Sequence, residues 1–166
     1  MSDPQKSRVY TLDGIFWNGS LDGITQYNAL MPRQDWEEYA EYLFHDGLAQ
    51  PHQHQLRRTR RTAQLRIDTA SVPHTAIAYL AEDRLSVSDD RLQQWVAMHE
   101  VAHVLVPHSC RHPHYWRWAS VYIQMVTRHT EPSVSRQFSI TADLLQIARA
   151  CPNSAAAMDN RLAPAA

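Results

Sequence analysis

The 166-residue sequence predicts an α+β fold, a small β-sheet packed against one central helix with further helices C-terminal to it. Three observations lead there. The run from Leu92 to Val106 is apolar nearly all round at helical spacing: Leu92, Val96, His99, His103 and Val106 form one stripe, and Met98, Val101 and Leu105 a second face. Ahead of it, residues 62–69, 75–81 and 85–87 carry the short apolar alternation of strands. Behind it, residues 115–128 and 132–150 return to helical periodicity.

The length and a hydrophobic content of 44% suit one domain with its own core, expected over residues 7–150, between a disordered start at 1–6 and a proline-bearing, disordered tail at 151–166. Sixteen basic against seventeen acidic side chains give a net charge of -1, which excludes a global footprint for nucleic acid or an acidic membrane surface. The start lacks the apolar core of a signal peptide and no run is long enough to span a bilayer, so the expected location is the cytoplasm, without a membrane partner. Two cysteines, Cys110 and Cys151, fit reduced thiols there.

Taken in order, residues 9–11 are expected to be extended. The Asn18-Gly19 pair inside Ile15 to Leu21 reads as a tight hairpin turn. A helix is expected over 34–44, from Trp36, Tyr39 or Ala40, and Leu43 at helical spacing, with Gly47 ending it. Residues 50–61 turn polar and basic. Arg57, Arg58, Arg60 and Arg61 are candidate phosphate contacts for a weak DNA association, against the plainer and favoured reading of a solvated loop. His52 and His54 in the same loop lack a fixed geometry for a metal. Ser88, Asp89 and Asp90 offer N-caps to the central helix.

That helix contains His99-Glu100-Val101-Ala102-His103, an HExxH pattern. Two histidines four apart on a helix lie about 40° apart around the axis and about 6 Å along it, so both imidazoles can reach one cation. The next residue points about 100° away from the first histidine, which suits Glu100 to a water beside the ion rather than to the ion itself. The plain alternative is a pair of hydrogen-bonded core histidines. Two imidazoles and a carboxylate in so apolar a helix would be costly to desolvate without compensation, and Zn2+ with its water is an economical one.

A third ligand is sought just beyond. Pro107 ends the helix near Val106, and His108, His112 and His114 follow. Pro113 suits the first position of the next helix, which would set His112 at its N-terminus, facing the ion. His112 therefore ranks first, ahead of His108, which follows the helix stop too closely, and His114. Cys110 is a weaker candidate, because catalytic zinc favours histidine and carboxylate donors.

HExxH followed by a short loop and His112-Pro113-His114-Tyr115-Trp116 at the head of a helix resembles the SprT-like zinc metalloproteins, and is more closely similar to a family of small bacterial zinc metallohydrolases of about this length. In that family the loop histidine is followed by glycine and, three residues later, by an aromatic residue. His112 and Trp116 occupy those places, and Pro113 departs from the glycine. The likeness extends weakly over residues 7–150, through Ser7-Arg8-Val9-Tyr10 and the arginine-rich segment; only the metal motif is specific. It implies a minimal zincin-like fold with zinc bound, and it names no substrate. Metzincin spacing fails, since Val106 and Ser109 stand where glycine and histidine are needed, and Glu131, the only glutamate after Glu100, sits beside Pro132.

The resulting expectation is a zinc hydrolase, foremost a metallopeptidase acting on a peptide or protein. His99, His103 and His112 would hold the metal, Glu100 would serve as general base to a zinc-activated water, and His114 or Tyr115 are candidate oxyanion stabilisers. Two alternatives stand beside it. One is a non-catalytic zinc protein whose coordination is closed by His108, His114 or Cys110; the other is a DNA-associated or regulatory SprT-like protease using the arginine run.

Overall fold

The computed structural model describes residues 3, 5–18, 23–49, 64–80, 82–106 and 114–147. In chain order these form α1 (Lys6–Asn18), α2 (Thr25–Asn28), α3 (Arg33–Ala49), β1 (Arg66–Thr69), β2 (Ala76–Tyr79), β3 (Arg84–Val87), a 3-10 turn (Asp89–Arg91), α4 (Gln94–Leu105), α5 (Trp116–His129) and α6 (Pro132–Leu144). This is an α+β arrangement in which, among the described residues, one three-stranded mixed sheet accompanies six α-helices.

Everything is built around α4. From Trp95 to Leu105 every residue is buried, because α2, α3, α5 and β2 all pack against it. Its two apolar stripes are thereby covered by packing, as the sequence implies. The helix stops at Leu105 with Val106 extended, where Pro107 disfavours a further helical residue.

The first helix overturns an expectation. Residues 9–11 are not extended and 15–18 do not enter a hairpin; both lie in α1, whose buried residues Val9, Leu12, Asp13 and Phe16 follow the i, i+3, i+4, i+7 spacing of one helix face. The charge of Asp13 on that face breaks the apolar pattern, and an Asn-Gly pair suits a helix C-terminus as readily as a hairpin turn. Phe16 anchors α1 between Trp95, stacked at 6.3 Å, and Phe138 of α6 at 5.4 Å. Nor does the expected disordered start cover all of residues 1–6. Gln5 is buried, its side-chain amide donating to the His114 carbonyl, and the helix begins at Lys6.

Gly47 does not end its helix. It lies inside α3, where a Cβ would run into the Leu105 side chain of α4. Its role is close approach of two helices rather than termination.

The strands lie in the order β1-β3-β2, with β1 parallel and β2 antiparallel to β3. Leu85 and Val87 of the central strand are buried, and edge strand β2 lies along α4. Ser88, Asp89 and Asp90 do not cap α4, which begins at Gln94 without a side-chain cap. They tie its approach to the sheet instead. Ser88 Oγ donates to the Thr75 carbonyl at 3.1 Å, Asp90 accepts from the His74 backbone N–H at 3.0 Å, and Asp89 pairs with Arg33 at 2.6 Å. After α5, α6 is one helix with Pro132 in its first turn and Val134, Phe138 and Ala142 buried; Thr141 lies within it and starts no second piece.

The arginine run 57–61, His52 and His54, the segment 107–113 with His108, Cys110 and His112, and the tail 151–166 lie outside the described residues. Among the described residues, no helix is long and apolar enough to cross a membrane.

Candidate metal centre

One turn of α4 sets His99 beside His103, with their Nε2 atoms 3.3 Å apart. The chain re-enters the core at His114, immediately before α5, and its imidazole closes the group: ring centroids lie 5.5 Å from His99 and 4.9 Å from His103. All three are buried, and one ligand nitrogen from each falls within 4.8 Å of the others.

The side of each ring facing away from the cluster decides what the facing side can do. His114 Nδ1 lies 2.6 Å from Asp3 Oδ2. Burial pushes the Asp3 carboxyl up, but hydrogen bonds from His114 and Gln5 outweigh it and hold the group below its ordinary range. An ionised carboxylate only accepts, so Nδ1 carries the proton and Nε2 keeps a lone pair. That Nε2 is buried and has no hydrogen-bond partner among the described residues. Burial, then the neighbouring His99, lower the His114 pKa despite Asp3, favouring the neutral ligand form.

His99 is backed similarly. Its Nδ1 lies 3.1 Å from Asp13 Oδ2, within ion-pair distance although the N–H does not point squarely at the oxygen. Asp13 Oδ1 in turn accepts from the Tyr122 hydroxyl at 2.7 Å. Burial pulls the His99 pKa down, and the negative charges of Asp13 and Glu100 more than reverse this.

These residues fit a divalent cation. Tetrahedral zinc with Zn–N near 2.0–2.1 Å sets neighbouring donors about 3.3–3.4 Å apart, the separation observed between His99 and His103. The furthest-placed imidazole need close by no more than about 1.5 Å to complete such a set. A shared proton could bridge two of the nitrogens but would leave the third orphaned. The local charge is compatible with a cation: Asp13 and Glu100 are buried carboxylates beside the imidazoles, and among the described residues neither is paired with Lys or Arg, Asp13 lying within ion-pair distance of His99 alone. Carboxylates behind the imidazoles and an apolar wall around them are what orients metal ligands. The wall here is Trp118, whose ring lies 4.9 Å from His99, 4.9 Å from His103 and 4.7 Å from His114.

Glu100 shares with His99 the wall of a cavity of about 550 Å³. Burial raises its pKa; the His99 charge and the Ala78 backbone N–H on β2 offset part of that. Tyr10 of α1 also lines the cavity, half-exposed, its ring centroid 5.8 Å from that of His114 in an edge-on arrangement.

The structure thus brings His99, His103 and His114 together, with Glu100 beside His99 on the cavity wall, while His112, the ligand ranked first on spacing, lies among residues not described. Helix α5 starts at Trp116 rather than at Pro113, which leaves His114 in the turn directly before it. His114 is poorly suited to the oxyanion role expected of it, since its Nδ1–H is committed to Asp3. Tyr115 is not on the cavity wall; its ring lies beside Trp116 at 6.0 Å. Sequence reasoning missed Asp13, Asp3, Tyr122 and Tyr10. A charged residue on an otherwise apolar helical stripe could have singled out Asp13; Asp3 stands 111 residues from its partner and carries no local signal. No protein-family model, no curated protein and no solved structure matches the chain.

Proposed function

We propose that this chain is a zinc-dependent hydrolase, foremost a peptidase, with His99, His103 and His114 as the metal ligands and Glu100 as general base. The observation that carries the proposal is the convergence of three buried imidazoles, two of them backed by carboxylates, beside a glutamate that opens onto a cavity. Zinc bound there would polarise a substrate carbonyl and bring the pKa of a water toward neutrality.

The chain's own residues supply the rest. Glu100 accepts the proton of the attacking water and returns it to the departing amine. Asp3 and Asp13 hold the imidazoles in the tautomer that presents Nε2, and Trp118 keeps the centre dry. Tyr10 replaces Tyr115 as the candidate hydroxyl for developing negative charge, because it lines the cavity. A sheet along the HExxH helix is also what a minimal zincin-like fold and the SprT-like resemblance require; both belong to this proposal, as does a cytoplasmic location. The open cavity beside Glu100 favours an enzyme over a closed, purely structural zinc site.

Glu100→Gln tests it. The variant is expected to keep its zinc and lose about 10²–10⁴-fold in peptide hydrolysis. Loss of zinc together with activity, or activity unchanged, contradicts the assigned role.

A further inference from the structure

The wall of the cavity also carries Arg91, which has no part in the chemistry above. It stands at the end of the 3-10 turn leading into α4, where its backbone N–H donates to the Ser88 carbonyl at 2.9 Å. Its guanidinium sits over the Trp17 ring, 5.0 Å from the centroid. Trp17 is half-exposed and packs on Trp95 at 5.4 Å. The carboxylates beside Arg91 in sequence are engaged elsewhere: Asp89 with Arg33, and Asp90 with Ser88 and His74. Among the described residues Arg91 therefore has no carboxylate partner, although it faces the cavity that Glu100 and His99 share.

A guanidinium steadied on an indole face presents a planar fork of donors matched to a carboxylate, and a neighbouring aromatic face to the side chain that accompanies it. The volume of about 550 Å³ is that of a small-ligand site. We infer that Arg91 and Trp17 bind a carboxylate of the substrate, so that the enzyme acts on short acidic peptides carrying that group close to the scissile bond. This rests on the hydrolase reading for the meaning of "substrate", but the recognition itself is a binding property. The carboxylate is either the peptide's C-terminus or an acidic side chain.

The two sources, and the hydrolase reading, separate in one experiment on the full-length, zinc-loaded Glu100→Gln chain. Calorimetry measures three N-acetylated tripeptides: one with uncharged side chains and a free C-terminal carboxylate, its C-terminal amide, and an amide carrying glutamate at the last position. The free acid, the glutamyl amide or both are expected to bind roughly 10- to 100-fold more tightly than the neutral amide. A preference for the free acid alone assigns the C-terminus; tight binding of the glutamyl amide assigns a side chain. Arg91→Gln in the same background is expected to bring the ratios near one, and Arg91→Lys to recover them in part, since Lys cannot form the paired hydrogen bonds. Equal binding of all three peptides, no binding of any, or ratios that survive Arg91→Gln overturn the inference. Repeating the ranking on the metal-free wild-type chain keeps the test valid if Glu100→Gln loses zinc. A zinc-loaded wild type that binds acids selectively yet cleaves nothing sinks the hydrolase reading and leaves the carboxylate site standing.

Discussion

The imidazole cluster and the cavity beside it, which share His99, differ in nearly every physical respect. Around the cluster the side chains are buried, packed on Trp118 and tied to carboxylates; on the outer cavity wall Tyr10 and Trp17 of α1 and His74 of the β1–β2 connection stand exposed to solvent. The buried side is preorganised, so its imidazoles sacrifice little freedom on gripping an ion. The open side can exchange water for a ligand. Substitutions on the first should therefore act on metal affinity and stability, and those on the second on substrate binding.

The largest effect should come from His114→Ala, which removes a proposed ligand. Zinc affinity measured by competition with a chelator is expected to fall by more than about 100-fold, beyond the range of an outer partner. A larger loss in His112→Ala would return the third position to the residue ranked first by spacing. Next come Asp13→Asn and Asp3→Asn, each expected to cost about 10–100-fold in zinc affinity, since the tautomer and tilt of one ring are no longer imposed. Unchanged affinity in both would mean the carboxylates are passive.

Smaller effects concern stability. Gly47→Ala should destabilise the fold by about 1–3 kcal/mol in denaturant unfolding, because Leu105 is buried and has little room to yield. Smaller still is Tyr39→Phe. The Tyr39 hydroxyl is buried without a hydrogen-bond partner among the described residues, and burial drives its pKa well above the ordinary phenol value. Removing it should leave stability unchanged or raise it by up to about 1 kcal/mol; a clear loss would show that the hydroxyl has a partner. Neither variant should alter zinc affinity, and a change in either would blur the distinction between metal centre and scaffold.

How legible these features were depended on how local their causes are. The central helix, α3, α5 and the three strands follow from periodicity and proline positions, because each buries a contiguous apolar pattern. Helix α1 did not, because Asp13 interrupts its stripe for the sake of His99, a contact 86 positions along the chain by numbering. Gly47 reads as a stop only in one dimension; in three it is the space Leu105 fills. The pair in HExxH was legible because one helical turn defines it. The third imidazole was less so, since three residues' difference in where α5 begins moves a different histidine to the helix entrance.

X-ray absorption at the zinc edge of the full-length, zinc-loaded chain tests the proposed centre most directly. A single zinc surrounded by three imidazole nitrogens and an exchangeable oxygen donor is the expected result. A fourth protein ligand, whether an imidazole or the sulfur of Cys110, or a chain that retains no zinc, would contradict it.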